Sequence, residues 1–155
     1  MSDPESCQAI VLAPDEGTVL EARGSRMTFK AVASSTDGAI SLMERDLPPG
    51  VRRPPPHRHP GTLEAFFILE GEVEFLLGTQ LVRRGPRSFV LVPRGLAHTF
   101  GNAGPTPARV LVLHAPAMDG YFEDLQALWA HGAPDPAAEL ALMRRHGLEP
   151  TDHQP

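Results

Sequence analysis

A chain of 155 residues, 41% hydrophobic and 21% charged, has the size and mixture of one core, which argues against a disordered tail, a membrane-spanning bundle and a second domain. Its 17 prolines and 14 glycines fill one position in five, which argues against long helices as the main architecture, because each proline removes a backbone donor and clashes with the preceding helical turn. The net charge of −5 offers no basic footprint for a phosphate backbone, so nucleic acid is not an expected partner.

Residues 1–17 read as an N-terminal arm. The opening MSDPESCQAI carries acids where a secretory leader needs positive charge, and the longest apolar runs, such as 110–113, are too short to cross a membrane. The single cysteine, Cys7, has no partner for an internal disulfide and no histidine or basic residue near it in sequence, so it reads as an incidental thiol. A reducing cytoplasm is the expected compartment.

Residues 18–116 form the expected barrel, with short alternating strands over 27–33, 39–47, 64–69, 73–77, 89–92 and 109–114. The segment 18–22 is the expected strand for exchange between two copies in a homodimer. Glu70-Gly71 and Gly78-Thr79 are hairpin turns, and the run from Gly101 to Pro105 breaks the chain before the last strand. Strands this close without crossover helices predict antiparallel pairing in an all-β sandwich or barrel. Two short helices fill 117–148. Asp119 caps the first, whose apolar positions are Phe122, Leu125 and Leu128 or Trp129, and Gly132 stops it. Asp135-Pro136 opens the second, with Leu140 and Met143 on its apolar side and Gly147 as its stop. Residues 149–155 are expected to fray as a flexible tail.

The chemistry concentrates in two segments. In His57-Arg58-His59 the two imidazoles lie two residues apart and project to one face of a strand, and Glu64 returns beside them across a turn containing Pro60 and Gly61. A later proline–glycine turn, Pro93-Arg94-Gly95, leads to a third imidazole, His98. Three neutral imidazoles and one carboxylate suit one divalent transition metal (Fe, Ni, Mn, Co or Zn) and leave open positions on an octahedral ion. Calcium and magnesium would call for oxygen donors throughout, and a closed structural zinc site would usually contain cysteine. By alternation, Phe66 and Ile68 share the face of Glu64, and Phe100 that of His98. They either fill the core or form an apolar substrate wall, which Phe29 and Met43 can join. His114 is either a proton shuttle or a satisfied structural histidine. His131, His146 and His153 read as exposed. Arg52 with Arg53, and Arg83 with Arg84, read as solvated charges that can steer an anion.

These segments resemble the two motifs of the cupin superfamily. Gly50, His57, His59, Glu64 and Gly71 match the first; Pro93, Gly95, His98 and Asn102 match the second. There are two departures: six residues separate Gly50 from His57 where five are usual, and Arg87 stands where the second motif begins with glycine. The resemblance spans about 27–114. It implies a double-stranded β-helix of jelly-roll type, a metal on His57, His59, Glu64 and His98, and structural roles for Gly71 and Asn102. In strand patterns and helical C-terminus the chain looks like single-domain cupins of the quercetin 2,3-dioxygenase-like group. That likeness implies O2-dependent oxygenation of a small aromatic or enolic molecule, with Glu64 as ligand and general base, its pKa raised toward neutrality by an apolar pocket. Two alternatives accompany it. One is a non-redox, metal-assisted cyclase, isomerase or dehydratase of polyketide or other secondary metabolism, in which Glu64 or a neighbouring histidine moves a proton. The other is a non-catalytic small-molecule-binding barrel.

Overall fold

The structure, a computed structural model, describes residues 8–152; Cys7 and His153 lie outside the described residues. In chain order the elements are β1 (Thr18–Ala22), β2 (Ser25–Ala31), α1 (Ala33–Thr36), β3 (Ser41–Leu47), β4 (His57–Arg58), β5 (Leu63–Glu70), β6 (Val73–Leu77), β7 (Gln80–Arg84), β8 (Phe89–Val92), β9 (His98–Gly101), β10 (Ala108–Ala115), α2 (Asp119–Trp129), α3 (Pro136–Arg145) and β11 (Glu149–Pro150). They build two antiparallel sheets, one ordered β1-β2-β3-β10-β5-β8 and the other β11-β4-β9-β6-β7. This is the expected all-β jelly roll, with three short helices rather than two. The single-turn α1 is too short to carry a periodic signal.

Period-two alternation decides what faces the interior. On β3, Ser41, Met43, Arg45 and Leu47 are buried, and on β10, Ala108, Val110, Val112 and His114 are buried. Each strand therefore delivers one strongly polar side chain, Arg45 or His114, to an otherwise apolar layer. Glu64, Phe66 and Ile68 do the same from β5. Register then places the polar groups together: Glu64 stands opposite His114, and His57 opposite His98.

Two turns show why the strands can close. Gly71 takes φ +72°, and a Cβ there would lie 2.5 Å from the Pro107 carbonyl oxygen and 2.7 Å from the Ala108 Cα, so the hairpin admits no side chain. Arg87, at the motif's missing glycine, still adopts φ 70° and bonds its N–H to the Ile68 carbonyl at 2.8 Å. The left-handed turn survives at a cost of roughly 1–2 kcal/mol for an L side chain, with the rest of the Arg87 side chain exposed.

The helical segment differs in detail from its sequence reading. Asp119 lies inside α2 rather than capping it, and its Oδ1 accepts the Ala33 N–H at 2.8 Å, tying α2 to α1. Asp135 does cap α3, accepting the Ala137 N–H at 3.0 Å ahead of Pro136. Helix α2 packs on β1 and α3, burying Tyr121, Phe122 and Leu125 over one end of the barrel. The chain beyond Leu148 is not free at its start: Glu149 and Pro150 pair with Arg58 and His57, and the Thr151 N–H donates to the Pro56 carbonyl at 2.8 Å. A two-residue strand of Glu-Pro has no pattern to read, since its pairing is set by the distant β4.

Candidate metal centre

Proline and glycine positions fix the histidines before any metal is considered. The Nδ1–H of His57 donates to the Pro55 carbonyl at 2.7 Å, and that of His98 to the Leu96 carbonyl at 2.9 Å. Each ring is thereby oriented with its Nε2 pointing inward. The Gly95 N–H bonds to the His59 carbonyl at 2.9 Å, and the Thr99 hydroxyl to the Pro54 carbonyl at 2.7 Å, so the two motif segments brace each other. Asn102 closes its turn through backbone bonds, donating to the Leu47 and Thr106 carbonyls at 2.9 and 2.7 Å and accepting the Gly104 N–H at 2.9 Å.

One ligand atom from each of His57, His59, Glu64 and His98 falls within a 4.8 Å cluster. The Nε2 atoms of His57 and His59 are 2.9 Å apart, and Glu64 Oε2 lies 2.7 Å from His98 Nε2 and 3.1 Å from His59 Nε2. All four side chains are buried. Converging lone pairs and a carboxylate, sealed from water, form an electron-rich pocket that suits a cation, and the nitrogen-rich donor set fits a divalent transition metal. The cluster could therefore hold such an ion.

Electrostatics favour neutral imidazoles at His57 and His59, while His98 is drawn toward its charged form by the anion it faces. Burial, reinforced by His98 and His59, pushes His57 well below the usual histidine range, and burial lowers His59 as well. For His98 burial pulls the same way, but the hydrogen bond and charge of Glu64 outweigh it and raise its pKa. Glu64 reverses its sequence expectation. Burial alone would raise it, but the charge and hydrogen bond of His114, then the bonds from His59 and His98, hold it well below the usual carboxylate range. Glu64 is a fixed anion rather than a base poised near neutrality.

His114 completes this hub. Its Nε2 lies 3.2 Å from Glu64 Oε1, while its buried Nδ1 makes no hydrogen bond among the described residues. Beside the cluster, Arg23, Arg45, His114, Phe100, Tyr121 and Phe122 border a cavity of about 20 Å³. Of the expected apolar wall, Phe100 borders this space; Phe29, Met43, Phe66 and Ile68 pack in the core, Phe66 edge-on to Phe75 and Phe100 at 5.1 and 4.8 Å. The paired surface arginines brace the fold: Arg53 and Arg83 both bond Glu74 at 2.7 Å, and Arg52 stacks over Trp129 at 5.2 Å. His131 and His146 are exposed, as expected.

Sequence reasoning missed Arg23, Arg45 and Tyr121. Arg45 was recoverable, being two residues from Met43 on an alternating strand. Arg23 and Tyr121 were not, because they meet across 98 residues: an Arg23 Nη2–H donates to the Tyr121 hydroxyl at 3.1 Å.

Comparison with known proteins agrees with this architecture. The cupin domain family matches residues 43–114. Germin-like protein 1-1 of Oryza sativa subsp. japonica is 33% identical, with 94% of this chain aligned to 74% of that protein. Germin-like protein 1-2 of the same plant is 30% identical over 91% of this chain, which spans 65% of its length. Among solved structures, the polyketide cyclase RemF of Streptomyces resistomycificus aligns with TM-score 0.61 and 19% identity over 70% of this chain and 80% of its own, a likeness of fold alone. These relatives are germin-like proteins rather than the expected quercetin 2,3-dioxygenase-like group. Motifs, fold and relatives together make this chain a member of the cupin superfamily.

Proposed function

We propose that the protein is a metal-dependent enzyme acting on a small enolisable molecule by proton transfer, in the isomerase, dehydratase or cyclase class. The observation that carries the reading is the buried pairing of the donor cluster with the unpartnered Nδ1 of His114 beside it. One divalent metal on His57, His59, Glu64 and His98 would polarise a carbonyl or hold an enolate oxygen. His114 borders the cavity with its Nε2 3.2 Å from Glu64 Oε1, and its other ring nitrogen is the group proposed to exchange a proton with the substrate. A cavity of about 20 Å³ holds little more than one water, so entry of any substrate requires Tyr121 and Phe122 to move aside. O2-dependent oxygenation is the second reading, favoured by the open positions that a three-histidine, one-carboxylate set leaves on an octahedral ion.

The test is deuterium exchange at the methyl carbon of pyruvate in D2O, followed by NMR. Metal-loaded protein is expected to accelerate exchange, and chelated protein and His114→Gln to lose the acceleration. O2 consumption in the aerobic arm would favour oxygenation instead, and neither exchange nor O2 uptake would reject both in favour of a binding barrel.

The homodimer is also proposed. Strand β1 lies at the edge of its sheet, and Phe67, Phe89 and Leu91 stand exposed on β5 and β8 at the sheet's other edge. Light scattering should give twice the chain mass; a monomer mass contradicts the pairing.

A further inference from the structure

Two arginines are buried beside the cluster, and they are treated differently by their surroundings. Arg23 is neutralised by an ion pair with Glu139 and bonds Tyr121. Arg45 is 2% exposed and has no carboxylate partner: its one hydrogen bond among the described residues runs from Nε to the Ser25 hydroxyl at 2.9 Å. The face of Phe100 lies 5.2 Å from its guanidinium carbon, which supports a cation but accepts no N–H hydrogen bond in the guanidinium plane. Among the described residues neither terminal amino group of Arg45 makes a recorded hydrogen bond, and the side chain borders the cavity.

A buried, unpaired guanidinium is costly to retain, and nothing in the packing of β3 calls for it, since Met43 and Leu47 fill the same face with apolar groups. Burial, and then the neighbouring charge of Arg23, bring its pKa down to about 9, opposed by Glu64 and to a lesser degree by Tyr121. If a divalent ion occupies the cluster, the charge of Glu64 is committed to that ion, and Arg45 then faces the cavity with no anion at all. The cavity acquires a net positive charge and a planar fork of free donors.

We infer that Arg45 is the anion-recognition residue of this site, and that the molecule it takes is a carboxylate whose oxygens accept hydrogen bonds from the free terminal amino groups of the guanidinium. Two parallel N–H bonds to a carboxylate match the geometry of that fork, which a lysine cannot reproduce. The inference deepens the proposed function, resting on its placement of the substrate in this cavity, and narrows the substrate from any small enolisable molecule to one bearing a carboxylate. Tyr121, its hydroxyl already accepting from Arg23, retains a hydroxyl proton that can serve the same anion.

Formate and its neutral isostere formamide are the probes, measured by calorimetry and by thermal shift on metal-free and metal-loaded protein. Wild type is expected to bind formate at least tenfold more tightly than formamide and to gain thermal stability with formate alone. Arg45→Met should lose at least tenfold in formate affinity in both states, keep its full metal content, and melt no lower than wild type without ligand. Arg45→Lys, which retains the charge without the fork, should fall between them, and it carries the test if the methionine variant fails to fold. Formate affinity unchanged in a folded variant overturns the inference while leaving the metal reading intact. Absence of metal with Arg45-dependent formate binding overturns the metal reading and leaves the inference standing.

Discussion

Glu64→Ala is expected to strip the site of its metal. The carboxylate is the one anion in the cluster and the shared partner of His59, His98 and His114. Removing it deletes a ligand and frees three imidazoles to reorient, so metal affinity should fall by more than the roughly 10–100-fold seen when only an outer-shell partner is lost. Competition with a chromophoric chelator measures this directly. His114→Ala provides the graded comparison, because it removes the residue bracing Glu64 while leaving all four donors, and a loss of about 10–100-fold is expected. Equal affinity in wild type and Glu64→Ala would mean that the cluster is not where metal binds.

Glu139→Ala should be the most destabilising change outside that cluster. Glu139, on α3, is 1% exposed and carries the ion pair that neutralises Arg23, itself 3% exposed and held at φ 56° in the turn between β1 and β2. Truncating one partner of a buried pair leaves the other charge uncompensated, a loss of about 3–5 kcal/mol. Urea unfolding gives the value. The double variant Arg23→Met with Glu139→Leu should recover most of the stability, because an apolar pair of similar volume avoids desolvating two charges. A single-variant loss under about 1 kcal/mol would show that water reaches the pair and screens it. The pair also joins the barrel to the helices whose Tyr121 and Phe122 close the cavity, so it links fold stability to access to the site.

The barrel was legible because alternation is a backbone property: the runs 73–77 and 89–92 need no tertiary knowledge, and their bounds match β6 and β8. The donor cluster was legible for a related reason, since His57 and His59 share a face by period two and the two proline–glycine turns announce where the chain must bend. What escaped depends on pairs distant in sequence. Arg23 finds Glu139 across 116 residues, and the hydrogen bonds around Glu64 reverse a pKa that burial alone would raise. Alternation also placed Phe66 and Ile68 correctly on the inner face, but an inward side chain can line a cavity or fill the core, and only packing against Phe75 and Phe100 decides between them. Arg87 illustrates the opposite case: the residue departs from the motif while the backbone keeps the motif's turn, at φ 70°.

Elemental analysis of the protein purified without added metal, beside the same preparation of His59→Ala, tests the central claim most directly. The account predicts one divalent transition-metal ion per chain in the wild type and its loss in the variant. A metal-free wild type that also fails to take up metal on reconstitution, or a variant that retains a full equivalent, would contradict it.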